Sequence, residues 1–148
     1  MEKKFYDETV NSVLSGQRLG VLATTGEEYP YTSLIGFVTT PEMKSIVFAT
    51  MKQTRKYENI LKHPRVSLLV NSSNNTADDF KDAAAITIMG SCAPTSGEEK
   101  KDLQKIYLER FPFLKDFIKD PSCELIKIKI ERFLVVTRFQ EVRYIEVM

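Results

Sequence analysis

Lys52-Gln53-Thr54-Arg55-Lys56 brings three cations, an amide and a hydroxyl together. Between Met51 and Arg65 there are five basic residues against one acid, Glu58, in a chain whose formal net charge is only +1. The surrounding pattern places them. Ile46 to Thr50 reads as a strand, Arg55 to Leu61 as a two-turn helix ended by His63-Pro64, and Arg65 to Val70 as a second strand. The first N–H groups of a helix lack intrahelical partners, and the macrodipole adds partial positive charge there. Acids suit that position. Arg55 and Lys56 are disfavoured by it, by about 0.3 kcal/mol or more each at an exposed site. A phosphate bound at that end reverses the sign. It would accept from the backbone N–H groups, the Thr54 hydroxyl, an Arg fork and a Lys ammonium. A solvated basic helix end is the competing reading, and charge alone does not choose between them.

The rest of the composition narrows the classes. At 148 residues, 43% hydrophobic and 28% charged, the chain suits one domain, residues 1–148, with a real core. Near-neutral charge argues against a general nucleic-acid or membrane-surface binder. The opening MEKKFYDETV lacks the apolar run of a signal peptide, and no stretch approaches the roughly 18–20 apolar residues of a membrane span, so a cytoplasmic location is expected. Cys92 and Cys123 read as reduced thiols. Two cysteines and one histidine, without CxxC spacing, argue against a metal site. No paired carboxylates or nucleophile–base set stands out, so no catalytic acid or base is assigned.

Other elements must position the basic stretch. Residues 3 to 15 predict an amphipathic helix with Phe5, Val10, Val13 and Leu14 on one face. Gly20 to Thr25 and Pro30 to Thr39 predict a hairpin, with Ser33, Ile35 and Phe37 on one side and Thr32, Leu34, Gly36 and Val38 on the other. Tyr57, Ile60 and Leu61 share a face of the basic helix. Asn71 to Asp82 reads as a polar loop. Ala83 to Ala93 is a strand with Gly90 a candidate bulge. Ser96-Gly97-Glu98-Glu99 fits a capping box before a helix bearing Leu103, Ile106, Tyr107 and Phe111. Glu124 to Ile130, Phe133 to Phe139 and Val142 to Val147 read as closing strands, the last two joined around Gln140-Glu141. About seven short strands with short connections point to a mainly antiparallel β protein.

VFATMKQTRKYENILKHPRVSLLV, Val47 to Val70, resembles the central segment of the pyridoxamine 5′-phosphate oxidase-like FMN-binding split barrels. PYTSLIGF, Pro30 to Phe37, is similar to their flavin-contacting strand, and ITIMG, Ile86 to Gly90, to the strand that follows. The resemblance implies a mainly β (α+β) fold. The expectation is an antiparallel split barrel of about six to seven strands with three to four peripheral helices. It implies that Arg55 and Lys56 clamp the FMN phosphate beside Thr54, that Ala49 and Thr50 line the phosphate and ribityl chain, and that Thr32, Ser33 and Leu34 contact the isoalloxazine. It also implies a homodimer with each flavin at the interface, and an oxidoreductase that takes a small-molecule substrate or electron donor. The alternative is a flavin-binding or sensing protein without turnover, or a relative that binds coenzyme F420 or haem.

The departures are specific. There is no Trp, the one His is His63, the chain ends TRFQEVRYIEVM, and Ala85 stands where the family carries Gln. These argue against pyridoxal phosphate synthesis itself. Arg138 and Arg143 are cations that a reduced flavin or anionic substrate would use, or else solvent-facing sheet positions. Tyr29 and Tyr31 read either as ring-flanking or as packing aromatics.

Overall fold

Short connections and alternating strands close on themselves in the computed structural model, which describes residues 2–138 and 141–147. Seven antiparallel strands run in the order β3-β2-β1-β4-β5-β6-β7: β1 (Leu19–Thr25), β2 (Pro30–Thr39), β3 (Ser45–Met51), β4 (Arg65–Asn71), β5 (Ala84–Pro94), β6 (Cys123–Thr137) and β7 (Glu141–Glu146). β3 also pairs with β6, so six strands form a closed barrel and β7 extends the sheet beyond it. Closure satisfies edges that would otherwise stay open. Among the described residues five α-helices decorate it: α1 (Glu2–Gly16), α2 (Arg55–Lys62), α3 (Asp79–Asp82), α4 (Gly97–Arg110) and α5 (Lys115–Lys119), with a 3-10 turn at Pro112–Leu114. The mainly β split barrel is as the sequence pattern and resemblance imply. Among the described residues no helix is long and apolar enough to cross a membrane.

Two apolar clusters fix the layers. Inside the barrel, Leu22, Phe37, Phe48, Leu68, Ile86, Ile88, Ile126 and Ile128 pack with Val10, Val13 and Leu14 of α1. Outside it, Leu103 and Tyr107 of α4, its C-cap Phe111 and Ile118 of α5 cover Val38, Val47 and Leu125. Beyond Gly36 on β2, and across β1 and β4, the outward face shows exposed apolar side chains among the described residues. Leu34, Val21 and Leu69 stand in register on three adjacent strands, 64%, 37% and 39% exposed.

The structure corrects several details. The expected strands Glu124–Ile130 and Phe133–Phe139 are one strand, β6. Glu131-Arg132 reads as a polar break, but the strand passes through it by a bulge: Met89 faces Arg132 while Gly90 faces Ile130, leaving Glu131 extra. A side chain at Gly90 would meet the Lys129 carbonyl at 2.2 Å, so the glycine is required there. Phe139 and Gln140 lie outside the described residues. In α1, Tyr6 rather than Phe5 turns inward. In α2, Leu61 is exposed and Asn59 is buried, because the helix plugs a barrel end where Asn59 Nδ2 donates to Thr24 Oγ1 at 3.0 Å. The Asn71–Asp82 loop ends in α3. There the Asp79 carboxylate accepts from the Asn74 and Thr76 N–H groups, which hold its pKa below the usual value. Ser96 occupies the cap position of α4, but its side chain makes no cap bond. Glu99 instead pairs with Lys127 of β6 at 2.7 Å, so the capping box does not form.

Candidate functional site

The barrel is open along one seam. β2 and β3 pair only at Phe37–Phe48, Val38–Val47 and Thr39–Ile46. Beyond Phe37, β2 continues back to Pro30 paired only with β1, and beyond Phe48, β3 continues to Met51 paired only with β6. Antiparallel residues point their N–H and C=O to alternate neighbours. Phe37 N–H donates to Arg18 O on the β1 side. The even-numbered residues of β2, Leu34 among them, therefore turn their backbone groups to the open seam.

α2 starts where β3 leaves that seam. Thr54 is its N-cap: its hydroxyl accepts from the Tyr57 N–H at 3.3 Å and donates to the Met51 carbonyl at 2.9 Å, with the Thr50 hydroxyl 3.0 Å away. Thr54 thus spends its hydroxyl on the helix and on β3. The N–H groups of Arg55 and Lys56 are the first two of the helix and have no intrahelical acceptor. Among the charged residues, Lys52 is paired with Glu124 at 3.4 Å. Arg55 and Lys56 carry no ion pair among the described residues. Lys56 is half-buried, and that desolvation lowers its pKa. An open depression of about 480 Å³ lies against Lys52, Thr54, Arg55, Tyr57 and Glu58.

The remaining expected residues fall around this corner. Ala49 and Thr50 end β3, with Ala49 half-buried and Thr50 buried. Thr32 and Leu34 face outward and are exposed. Ser33 turns inward, and its hydroxyl is buried without a hydrogen-bond partner. The strand therefore presents two of the three side chains outward, and Ser33 only through its backbone. Arg138 lies at the other end of β6, paired with Glu141 at 3.5 Å. Arg143 stacks over Tyr6 at 5.3 Å. Tyr29 is exposed in the β1–β2 turn. His63 is exposed at the far end of α2, about 12 Å from Arg55 at the usual helical rise. A separate cleft of about 590 Å³ contains Arg65, Glu131, Arg132 and Glu146. Its charges neutralise one another: Arg65–Glu131 at 3.3 Å and Arg132–Glu146 at 2.7 Å.

One residue at the seam reads from sequence only as helix core. Tyr107 of α4 is 2% exposed, and its phenol donates to the Gly36 carbonyl at 3.3 Å. Burial pushes its pKa to about 12, so it stays a donor. The available signal is its type: a buried Tyr in an apolar stripe requires a partner for its hydroxyl.

The same fold occurs in proteins of low sequence identity. A haem-binding protein from Mycobacterium smegmatis is 18% identical with a TM-score of 0.83, over 94% of this chain and 57% of that one. General Stress Protein 26 from Bacillus anthracis is 21% identical with a TM-score of 0.68, over 95% and 97%. An FAD-binding protein from Mesorhizobium loti is 17% identical with a TM-score of 0.67, over 87% and 90%. No curated protein matches the sequence. The family model described as pyridoxamine 5′-phosphate oxidase matches residues 6–137, nearly the whole barrel including the seam and α2, and the chain belongs to that family.

Proposed function

We propose that this chain binds FMN at the seam and is a flavin-dependent oxidoreductase acting on a small molecule. One observation carries the reading: Arg55 and Lys56, neither in an ion pair among the described residues, open α2 at the corner where β2 and β3 run on without pairing each other. Arg55, Lys56 and the α2 backbone hold the phosphate. Ala49 and Thr50 line the chain that joins phosphate and ring. Thr32 and Leu34 contact the ring from β2, with Ser33 contributing its backbone. The bound flavin supplies hydride or electron transfer; the protein binds it, orients it and shapes the charge around it. A single phosphate matches the two cations. For haem, the one histidine, His63, stands at the wrong end of α2 to serve as an axial ligand at this corner.

A second copy of the chain completes the site in this reading. The uncovered row Leu34–Val21–Leu69 is the surface for it, since large exposed apolar patches mark contact sites. The free thiols Cys92 and Cys123 suit a reducing compartment such as the cytoplasm.

The test is an absorbance and fluorescence titration of the purified protein with FMN, coenzyme F420 and haem. A saturable flavin quench is expected with FMN. Its absence overturns the reading. Anaerobic mixing of the FMN complex with NADH or NADPH then separates an enzyme, which bleaches, from a binding protein, which does not. Val21→Asp is expected to give a monomer in sedimentation.

A further inference from the structure

The basic stretch holds Lys52, Arg55, Lys56, Lys62 and Arg65. Glutamates from distant segments take three of them: Glu124 pairs with Lys52 at 3.4 Å, Glu27 with Lys62 at 3.2 Å and Glu131 with Arg65 at 3.3 Å. Lys62 and Arg65 stand at or beyond the far end of α2, so their pairs do not bear on its start. The Lys52 pair does. Lys52 lines the depression at the start of α2 together with Arg55, yet its ammonium is turned to β6. Barrel closure puts Glu124 there. It stands opposite Thr50 in the β3–β6 ladder, so the two side chains share a face. The Thr50 hydroxyl is in turn 3.0 Å from that of Thr54, the cap of α2. The turn that carries Lys52 is pinned to the start of β6: the Lys52 N–H donates to the Ser122 carbonyl at 2.8 Å, and Gln53 Nε2 donates to the Ser122 hydroxyl at 3.3 Å. With its backbone fixed, Lys52 has only its side chain with which to choose between Glu124 and an anion at α2. The Glu124 side chain is 17% exposed, so salt screens this carboxylate less than it screens a surface acid.

We infer that Glu124 sets the charge of the anion corner: it holds the Lys52 ammonium on β6, so that Arg55 and Lys56 are the cations offered to a phosphate, beside the one acid of the depression, Glu58. That the phosphate belongs to a flavin rests on the reading above; the setting of the charge does not. Glu124 is a positioning residue. It acts through Lys52 and touches no ligand itself.

Glu124→Gln keeps the shape of the side chain and releases Lys52. At low salt its FMN affinity is expected to rise about fivefold, the upper range for an exposed charge pair. The gain is expected to disappear towards 1 M salt, where the screening length is about 3 Å. Riboflavin, the same ring without the phosphate, is expected to bind wild type and variant equally. In Lys52→Ala protein the same substitution is expected to change FMN affinity by less than about twofold, since the two residues act as one unit. A merely structural Glu124 predicts the opposite sign, with FMN and riboflavin weakened together. FMN affinity that stays level or falls in Glu124→Gln overturns the inference. So does a gain of about twofold or more in the Lys52→Ala background, which would be the carboxylate's own field. Wild-type protein gives a second reading that needs no variant: on saturation with FMN the NMR signal of the Lys52 ammonium is expected to hold still while that of Lys56 moves. Movement of Lys52 as large as that of Lys56 overturns the inference. Failure of the flavin reading shows separately, as wild-type protein that binds neither FMN nor riboflavin. Inorganic phosphate, titrated calorimetrically into wild type and Glu124→Gln, then decides by the same sign, and no phosphate binding to either protein overturns the inference.

Discussion

α2 and α4 both follow strands, and they begin in opposite ways. α4 carries Glu98 and Glu99 in its first turn and Arg110 in its last, aligned with the macrodipole, while its cap residue Ser96 makes no cap bond. α2 has a working cap, Thr54, but opens on Arg55 and Lys56, against the dipole. In α4 the two acids of the first turn serve the fold: Glu98 pairs with Lys101, and Glu99 is spent on Lys127 of the barrel. In α2 neither cation at the start has an acid partner among the described residues, and Lys56 is partly desolvated as well. The contrast locates function inside one chain. Under the flavin proposal, the two cations that oppose the start of α2 are there for the phosphate they bind.

The comparison breaks most readily at Arg55. Arg55→Ala is expected to weaken FMN by about 1.5–3 kcal/mol, or roughly 10- to 150-fold in Kd, the worth of a charge-assisted hydrogen bond. Its cofactor-free melting temperature is expected to hold or rise slightly, because a repulsive charge leaves the helix start. The counterpart in α4, Glu98→Lys, is expected to do the reverse: about 0.3–1 kcal/mol of stability lost at low salt, with FMN affinity unchanged. Wild-type affinity in Arg55→Ala would place the phosphate elsewhere and remove the distinction between the two helices.

The caps sharpen the same contrast at smaller scale. Thr54→Ala loses the bond from Tyr57 N–H and the bond to the Met51 carbonyl, and is expected to cost about 1 kcal/mol by denaturant unfolding. Ser96→Ala loses no such bond and is expected to cost less than half as much. Equal losses would mean that the two hydroxyls do the same work.

What could be read without the fold was local. The α2 cap, its two cations and the strand before it lie within a dozen residues, so spacing alone brings them together. The hairpin β1–β2 was legible for the same reason. Closure was not. β3 meets β6 through pairs such as Ser45–Lys129 and Met51–Cys123, more than seventy residues apart, and nothing local marks either strand as the other's partner. The polar Glu131-Arg132 pair hid the continuity of β6, because a bulge and a turn look alike in one dimension. Asn59 carries no local mark of burial; it is Thr24, 35 residues away, that gives its amide a partner. Tyr107 looked like one more apolar stripe residue, since only the seam gives its hydroxyl a task. The fold's local parts were visible, and the contacts between distant segments were not.

The smallest expected effect concerns Lys56, and it separates binding from folding by sign. Burial lowers the Lys56 pKa from its ordinary 10.5. In the window between the lowered value and 10.5, the unfolded chain binds more protons than the folded one, so the cofactor-free protein gains stability as pH rises. A bound phosphate favours the ammonium, which raises the pKa again. FMN affinity is therefore expected to fall over the same window in which stability rises. Titration calorimetry at increasing alkaline pH reads the first, and unfolding in matched buffers reads the second. Lys56→Arg, charged throughout, is expected to flatten the fall in affinity. Affinity that ran parallel to stability would mean that Lys56 faces no phosphate and that Arg55 alone sets α2 apart from α4.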